Sequence, residues 1–474
     1  MESISVFDMF KIGVGPSSSH TMGPWKASML FLESLMDALD HTESIHVKLF
    51  GSLALTGKGH GSDKAIILGL SGFDPISIEP QPIEQVVAQV LYDHVLMLAG
   101  KRQIRFEAKA AIAYYKNESL DFHSNAMILE ARDKSGDLVL AETYYSIGGG
   151  FVVKEGETME GSQSAIPYPS ESAKETRENC NKSGLDIASV SFANELFWRD
   201  EITVKKNLLQ IWDVMSDAVY RGCHTEGTLP GGLNVTRRAA QMHNRLLGEQ
   251  GPFDTKSEWI AHLKEMGTSF EKTLKFVSCF AIATNEENAC FGKVVTAPTN
   301  GSAGVIPAVL LYFICFNEHK ETCDHDIIDF LCVAGEIGSI FKKEATISAA
   351  MGGCQAEIGV SSAMAAAALT SGLGGSVDQS LMAAEIAMEH HLGLTCDPVN
   401  GLVQIPCIER NSMGAIKAIT AAQIALESQP ELAKVSLDEV IKTMWKTAQD
   451  MNVKYKETSL GGLAESVSVS LSEC

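Results

Sequence analysis

The sequence predicts an α+β domain over residues 1–153, followed by a mostly all-α domain over residues 185–474. In the first part, alternating apolar and polar runs that are typical of half-buried strands are mixed with runs of helical periodicity. Beyond residue 185 the apolar spacing is almost entirely helical, as in residues 202–220 and in the Ala-, Met- and Ser-rich residues 361–373. The polar, proline-containing residues 154–184 predict a linker, with a long surface loop within one domain as the alternative.

Individual elements of the N-terminal domain follow from the same patterns. Residues 45–50 alternate apolar and polar side chains and predict a strand. Residues 83–99 have apolar side chains at helical spacing and predict a helix. Residues 126–132 and 138–147 are strand-like runs separated by Asp-Lys-Ser-Gly-Asp, which is the composition of a hairpin turn.

Composition excludes several classes of protein. The 474 residues, 45% of them hydrophobic, are enough to form two or three domains with buried cores. The formal net charge of −21 argues against a nucleic-acid or anionic-membrane partner, but one or two local donors could still hold an anionic substrate. The N-terminus has no leader pattern, and no stretch is apolar for long enough to span a membrane. Because the eleven cysteines are odd in number and do not indicate a secreted disulfide framework, we expect a cytoplasmic protein.

The strongest candidate for chemistry is the loop between Cys396 and Cys407, CDPVNGLVQIPC. Its Asp-Pro and Asn-Gly pairs prevent a continuous helix or strand, so the loop can turn both thiols toward one point, as an iron–sulfur cluster requires. Cys354 follows two glycines that leave the backbone free to bend, and Cys474 is the last residue. Spacing alone leaves open the alternative that these are ordinary buried thiols or, for Cys474, a frayed terminus.

Two turns of the helical domain share a pattern. Residues 298–307 and 398–406 both contain Pro-x-Asn-Gly and end in Ile-Pro, and they include Asn300 and Asn400. Asn300 is a further candidate for substrate binding. Two such turns could form two walls of one pocket, and chance similarity of turn chemistry is the alternative.

The glycine-rich segment TGKGHGSD, residues 56–63, provides two candidates for a catalytic base. Glycines on both sides of His60 allow the imidazole to reach an open cleft, and histidine titrates near neutrality. Lys58 is the competing base, and a merely exposed histidine is the alternative to both. The segment is also similar to a phosphate-binding loop, but the spacing and the missing Ser or Thr after Lys58 exclude nucleotide binding.

Polar residues near the N-terminus predict a cradle for a carboxylate. Hydroxyl and imidazole side chains precede a helix-like run from Trp25, and a helix N-terminus with hydroxyl donors is suited to binding an anion. The alternative is simple helix capping, and both can hold together. The candidates are Ser17, Ser19, His20 and Thr21, in a segment that also contains Ser18.

Three more residues are candidates for substrate binding. His123 and Asn125 lie between two strand-like runs, where side chains can point into a cleft; an ordinary turn is the alternative. Arg410 follows Cys407 by three residues and could pair with a substrate carboxylate through two hydrogen bonds. A structural salt bridge is an equally good explanation for Arg410.

Four motifs together resemble the bacterial iron–sulfur L-serine dehydratases of the single-chain type. They are GPSSSHTMGP at residues 15–24, APTNG at 297–301, GCQAE at 353–357 and the loop 396–407. The resemblance covers nearly the whole chain and keeps the order of the motifs.

The resemblance implies conversion of L-serine to pyruvate and ammonia in a protein expected to be a homodimer. It assigns a 4Fe–4S cluster to Cys354, Cys396 and Cys407, with Cys474 as the fourth ligand when substrate is absent. An iron without a protein ligand can act as a Lewis acid on the hydroxyl of serine. The resemblance also implies that His60 is the base and that His123 and Asn125 contact the substrate.

Two other kinds of enzyme and a non-catalytic sensor are the alternatives to this function. A pyridoxal-phosphate dehydratase needs a Schiff-base lysine and a glycine-rich phosphate loop, which the sequence lacks. The N-terminal domain is similar to an allosteric serine-binding module of some phosphoglycerate dehydrogenases, so a non-catalytic serine sensor is an alternative, although a sensor needs no set of four cysteines. An aconitase-like hydro-lyase would need more arginines around the site.

Overall fold

The computed structural model describes residues 3–78, 80–157, 166–248, 251, 253–267, 269–317 and 322–467. The strands are short and lie mostly in the first third of the chain. They are β1 (Ile12–Val14), β2 (Ser44–Phe50), β3 (Val95–Leu98), β4 (Arg102–Arg105), β5 (Ile112–Tyr115), β6 (Ala126–Arg132), β7 (Leu138–Ser146), β8 (Val152–Lys154) and β9 (Lys293–Val295).

Helices make up most of the rest. Those before residue 153 are α1 (Val6–Met9), α2 (Gly23–Leu35), α3 (Gly51–Thr56), α4 (Ser62–Leu70), α5 (Pro80–Asp93) and α6 (Ala108–Ala111). Those after it are α7 (Ala173–Ser183), α8 (Ile187–Glu195), α9 (Glu201–His224), α10 (Ala239–Leu247), α11 (Lys256–Glu265), α12 (Phe270–Ala289), α13 (Val305–Cys315), α14 (Asp324–Glu344), α15 (Ala349–Gly352), α16 (Ile358–Gly372), α17 (Val377–Glu389), α18 (Cys407–Leu426), α19 (Leu437–Asp450) and α20 (Leu463–Ser466).

The N-terminal region is built on a five-stranded sheet in the order β5-β2-β6-β7-β8. The β2–β5 pair is parallel, and the other pairs are antiparallel. Alternate residues of β2, among them Val47 and Leu49, are buried in a core shared with α2 and α4. The predicted strand at 45–50 and the predicted hairpin at 126–147 are present, the latter as β6 and β7.

The helix predicted over residues 83–99 is wrong in its last third. Helix α5 ends at Asp93, and residues 95–98 form β3, which pairs with β4. His94 has a φ of 55°, a left-handed conformation that ends the helix. In β3 the buried residues are Leu96 and Leu98, so the apolar spacing changes there from a helical period to a period of two.

The second region is helical, as predicted, and its core contains α12, α14, α16 and α18. Helix α16 is buried along nearly its whole length, because its Ala and Ser side chains let neighbouring helices pack closely. One strand interrupts the helical pattern: β9 pairs with β1, so that Ile12 lies opposite Val295. This pairing holds the start of the chain against the helical region. Within the described residues no helix has both the length and the apolar character needed to cross a bilayer.

Residues 154–184, predicted as a linker, contain helix α7. Its side chains Ala173, Thr176 and Cys180 are buried, and the backbone N–H of Ala173 donates to Asp438 at 2.7 Å. This segment therefore packs on the helical region over its second half. The division of the chain at residues 153 and 185 stays a prediction.

Candidate active site

A small internal cavity lies where the N-terminal region meets the helical region. Side chains from both regions line it, together with one residue from the C-terminal segment. The lining residues are Ser17, His60, Gly301, Cys354, Glu357, Ile358, Cys396, Pro398, Val403, Cys407 and Glu457. The cavity thus joins three predicted ligands, the predicted base and one predicted substrate-binding serine.

Three separate backbone features bring the thiols of Cys354, Cys396 and Cys407 to this cavity. Cys354 lies in a short helical turn after Gly353, whose φ of 72° and close approach to the carbonyl of Leu394 leave no room for a side chain. Cys396 is held in an extended loop by its N–H, which donates to Tyr455 O at 2.8 Å. Cys407 is the first residue of α18. The described cysteines are all free thiols.

A carboxyl group, that of Glu357, accompanies the thiols as a second type of possible ligand. One donor atom from each of Cys354, Glu357 and Cys396 lies within 4.8 Å of the other two. Burial, together with the neighbouring Cys354, raises the pKa of Glu357 to about 8. Glu357 belongs to the GCQAE motif, but sequence reasoning gave it no role. Its proximity to the thiols makes it part of the candidate metal centre.

Arg410 supplies positive charge on the thiol side. Its Nη1 lies 3.4 Å from Cys354 Sγ and donates to Thr395 O at 2.6 Å, while Nη2 donates to Asp397 at 2.8 Å. The hydrogen bond with Cys396 and the guanidinium lower the pKa of the Cys354 thiol to about 7 despite burial. Arg410 therefore makes the structural salt bridge that was the alternative reading, and its contact with a substrate stays a prediction.

His60 forms another wall of the cavity, and its buried ring lies beside that of His20, with the ring centres 4.6 Å apart. His60 Nδ1 donates to Thr56 O at 2.9 Å, so the lone pair of neutral His60 is on Nε2. Burial lowers the pKa of His60 to about 4, and burial also lowers that of His20. Near neutral pH both rings are therefore uncharged, and His60 keeps an unprotonated Nε2.

Glu457 faces both rings and was missed by sequence reasoning. Its Oε1 is 3.7 Å from His60 Nε2 and 3.4 Å from His20 Nδ1, and its Oε2 is buried without a hydrogen-bond partner. The Ser52 hydroxyl donates its hydrogen to the backbone O of Glu457 at 2.9 Å. His20 Nε2, which lies 3.0 Å from Ser52 Oγ, must therefore be protonated and donate to that oxygen. Both imidazoles then have an unprotonated nitrogen within 3.7 Å of Glu457 Oε1, although that of His20 is closer to Ser19 Oγ, at 2.8 Å.

A proton on Glu457 reconciles this arrangement. Burial raises the pKa of this carboxyl group well above its ordinary value, with further increases from Glu357 and Cys354. A carboxylic acid can donate to either imidazole lone pair, whereas a carboxylate would be repelled by both. No local pattern in the sequence marks Glu457 as a site residue. Its position depends on a loop 61 residues after Cys396 that folds back onto it, where the Glu457 N–H donates to Cys396 O at 2.9 Å.

The hydroxyl-rich motif is a buried π-helical turn, Ser18–Met22, that leads into α2. Ser17 caps the turn, since its Oγ accepts the His20 N–H at 3.1 Å, and it also lines the cavity. Ser19 lies 2.8 Å from His20 Nδ1, and Thr21 donates to His60 O at 2.8 Å. Capping and pocket formation thus occur together: Ser17 faces the cavity, and the other residues position the imidazoles.

The side chains of His123, Asn125 and Asn300 lie outside the cavity lining. The N–H of Asn125 donates to His123 Nδ1 at 3.0 Å, and His123 is close enough to His20 to lower its pKa. Both polar side-chain atoms of Asn125 are buried without partners, as is Asn300 Oδ1. Buried amides without partners are rare and fit residues that await a ligand. Their contact with a substrate stays a prediction.

Lys58 is exposed and lies on a different cleft from His60, although only one residue separates them. The segment 56–61 forms a tight turn in which Gly59 packs against the backbone of Asn400 and Gly401. This packing directs the His60 ring inward and leaves Lys58 outside. The structure therefore places His60, and not Lys58, beside the thiols.

The repeated turns do form two walls of one pocket, since Gly301 and Pro398 both line the cavity. The C-terminal segment closes over the second turn: Ser459 Oγ donates to Pro398 O at 2.6 Å, and the Leu463 N–H donates to Asp397 at 2.8 Å. Cys474, the predicted fourth ligand, lies outside the described residues.

Two family models match the two regions of the chain. Residues 5–157 match the family model of the serine dehydratase beta chain, and residues 160–464 match that of the alpha chain. The chain is 45% identical to an L-serine dehydratase of Streptomyces coelicolor, with all of both chains covered. It is 44% identical to L-serine dehydratase 2 of Escherichia coli (97% and 98% covered) and 45% identical to an L-serine dehydratase of Helicobacter pylori (98% and 100% covered).

Proposed function

The chain belongs to the serine dehydratase family, and we propose that it converts L-serine to pyruvate and ammonia with the help of an iron–sulfur cluster. The observation that carries the proposal is the single cavity on which three buried thiols and the neutral imidazole of His60 meet. Packing alone does not explain three thiols and two carboxyl groups around one cavity, with the Arg410 guanidinium 3.4 Å from the Cys354 thiol.

The residues of the cavity fit such a cluster. Cys354, Cys396 and Cys407 are free, buried and on one side, and Arg410 offsets part of the negative charge that thiolate ligands carry. When bound, the cluster would supply a Lewis acid for the hydroxyl group that leaves from serine. Cys474 is proposed as a further ligand on the basis of the family resemblance.

The other residues of the cavity have roles in proton transfer and substrate binding in this proposal. His60 Nε2 carries the lone pair that takes the α-proton of serine. Ser17 offers a hydroxyl group at the edge of the cavity, and Glu457 holds a proton beside the imidazole pair. Loss of the α-proton and of the β-hydroxyl group, as water, gives 2-aminoacrylate. This product rearranges to an imine and hydrolyses to pyruvate and ammonia.

The proposal is tested by purifying the chain without oxygen, measuring iron and sulfide, and assaying pyruvate formation from L-serine. We expect iron and sulfide in cluster proportions and turnover that is lost when they are removed. A pyridoxal-type absorption band, or serine binding without pyruvate formation, would favour a pyridoxal enzyme or a serine sensor instead. The homodimer and the cytoplasmic location remain predictions.

A further inference from the structure

A second cleft lies behind the wall of the catalytic cavity. Val403 lines both spaces, and Pro16, Gly59 and Gly61 line the cleft next to the cavity residues Ser17 and His60. A wall one residue thick therefore separates the cleft from the reacting groups. The cleft is larger and more open to solvent than the cavity, and it adjoins the cavity along this wall.

Three lysines surround this cleft: Lys58 before α4, Lys64 within α4 and Lys116 after β5. Within the described part of the chain, no ion pair joins any of them to a carboxylate within 4.0 Å. The chain has 59 acidic and only 38 Lys and Arg residues, so three unpaired ammonium groups on one cleft are unexpected.

Asp63 is an acidic group near these lysines; burial raises the pKa of its carboxyl group, and the charges of Lys64 and Lys58 are close enough to lower it. Its Oδ1 accepts the backbone N–H of Lys64 at 2.9 Å. The Lys64 ammonium group instead lies 4.8 Å from the ring centre of Phe291, which also lines the cleft. The positive charge of the cleft is therefore only partly offset by the protein itself, and a small anion is its natural complement.

We infer that this cleft, which adjoins the cavity, binds the carboxylate of a small 2-oxo acid anion, the product class of the proposed reaction. The inference rests on the proposed function for the identity of the anion. L-Serine is a zwitterion without net charge, whereas the 2-oxo acid product has a full negative charge. The lysines therefore attract the product more strongly than the substrate, and they should set product inhibition rather than substrate affinity.

The test measures pyruvate binding to the intact chain by saturation-transfer NMR, without turnover. For the double variant Lys64→Gln/Lys116→Gln we expect a Kd about three-fold to ten-fold higher than in the wild type, since each lost charge removes a modest, solvent-screened attraction. The difference should shrink in 1 M salt. The KM for L-serine should change by less than about two-fold, because a zwitterion feels little net attraction.

Two controls isolate the cleft. Lys442→Gln/Lys446→Gln removes two exposed lysines from α19, which does not line the cleft, and should leave the Kd unchanged. Lys64→Arg/Lys116→Arg keeps the charge and should retain wild-type affinity. If the double Gln variant does not fold, each single variant should still raise the Kd about two-fold.

An unchanged Kd in the Gln variants, or an equal rise in the α19 control, would overturn the inference. A rise in the KM for L-serine equal to the rise in the Kd for pyruvate would also overturn it, since the cleft would then not distinguish product from substrate. Lysine-dependent pyruvate binding in a chain that does not deaminate serine would refute the proposed function but leave the anion site in place.

Discussion

The two walls of the candidate active-site cavity differ in their electrostatics: one holds a cation beside the thiols, and the other holds neutral imidazoles beside a carboxyl group. On the thiol wall, Arg410 lies 3.4 Å from Cys354 Sγ and is itself oriented by Asp397, so the wall is equipped to hold negative charge. On the histidine wall, His20 and His60 are buried beside Glu457, and burial keeps both imidazoles neutral. If the proposed cluster binds, this difference lets one small cavity hold an anionic metal centre beside an uncharged base.

The largest effect is expected on the thiol wall. Cys354→Ala should remove iron and sulfide and reduce turnover to background, because a cluster ligand is lost, while far-UV circular dichroism stays that of the wild type. Cys396→Ala and Cys407→Ala should behave alike. The control is Cys323→Ala, which removes an exposed thiol at the start of α14. A variant that keeps full iron content would exclude that cysteine as a ligand.

On the histidine wall, His60→Ala should keep the iron but reduce kcat by about 10²–10⁴-fold, the usual contribution of a general base. Exchange of the α-hydrogen of serine with solvent, followed by NMR, should stop as well if that step is reversible. Lys58→Ala serves as the matched comparison because Lys58 lies on the other cleft. A larger loss in the Lys58 variant than in the His60 variant would transfer the role of the base to Lys58.

Glu457 connects the two walls, and a change there should have an intermediate effect. Glu457→Gln keeps the backbone bonds to Cys396 and Ser52 and still donates to the imidazoles, but its amide cannot release a proton. We expect kcat to fall about ten-fold with the iron content unchanged. Glu465→Gln, an exposed acid of the same segment, should leave kcat unaltered. Wild-type kcat in Glu457→Gln would reduce Glu457 to a packing role.

Cys474 would add a ligand from neither wall. If its thiolate binds the cluster in the absence of serine, deletion of Cys474 should lower the apparent KM, remove any slow onset of activity and speed inactivation in air. Intramolecular binding gives even a weak ligand a high effective concentration, so a change of a few-fold is expected. Unchanged KM, onset and air stability would show that the terminal residue does not reach the cluster.

The smallest effect is expected for His243, a neutral imidazole outside the cavity. It tests whether burial keeps an imidazole uncharged, as we infer for His20 and His60. His243 Nε2 accepts from Trp259 Nε1 at 2.8 Å, and burial lowers the pKa of His243 to about 4. The unfolded chain then binds the proton more readily, so His243 stabilises the fold above pH ~6.5 and this contribution disappears as the pH falls to about 4.

The comparison is between wild type and His243→Gln in urea unfolding at pH 7 and pH 4.5. Between pH 7 and pH 4.5 the free energy of unfolding should fall by up to about 3 kcal/mol more in the wild type than in the variant, because the glutamine does not titrate. An equal decrease in the free energy of unfolding of both proteins would mean that His243 is protonated in the folded state as easily as in the unfolded chain.

Much of the fold was encoded locally and was therefore predictable. The alternation in residues 45–50 and the turn residues between β6 and β7 predict their strands without knowledge of any distant partner. The helix over residues 83–99 was wrong at its end, since β3 exists through its pairing with β4, and pairing is not visible in the periodicity of a single segment.

The sequence by itself determined which residue types could do chemistry. The turn-rich loop around Cys396 and Cys407, the two glycines before Cys354 and the glycine-rich segment around His60 are local signals, because they depend on what the backbone of those few residues can adopt. All four of these side chains reach the cavity.

Only the tertiary structure decided what surrounds them. Glu457 meets His60 across nearly 400 positions, Arg410 turns to Asp397 and Cys354, and Lys58 is directed away from its neighbour His60. Burial, charge pairing and the direction of a side chain depend on which distant segments fold onto it. Those quantities determine whether an imidazole is neutral or a lysine is unpaired, and a run of neighbouring residues does not contain them.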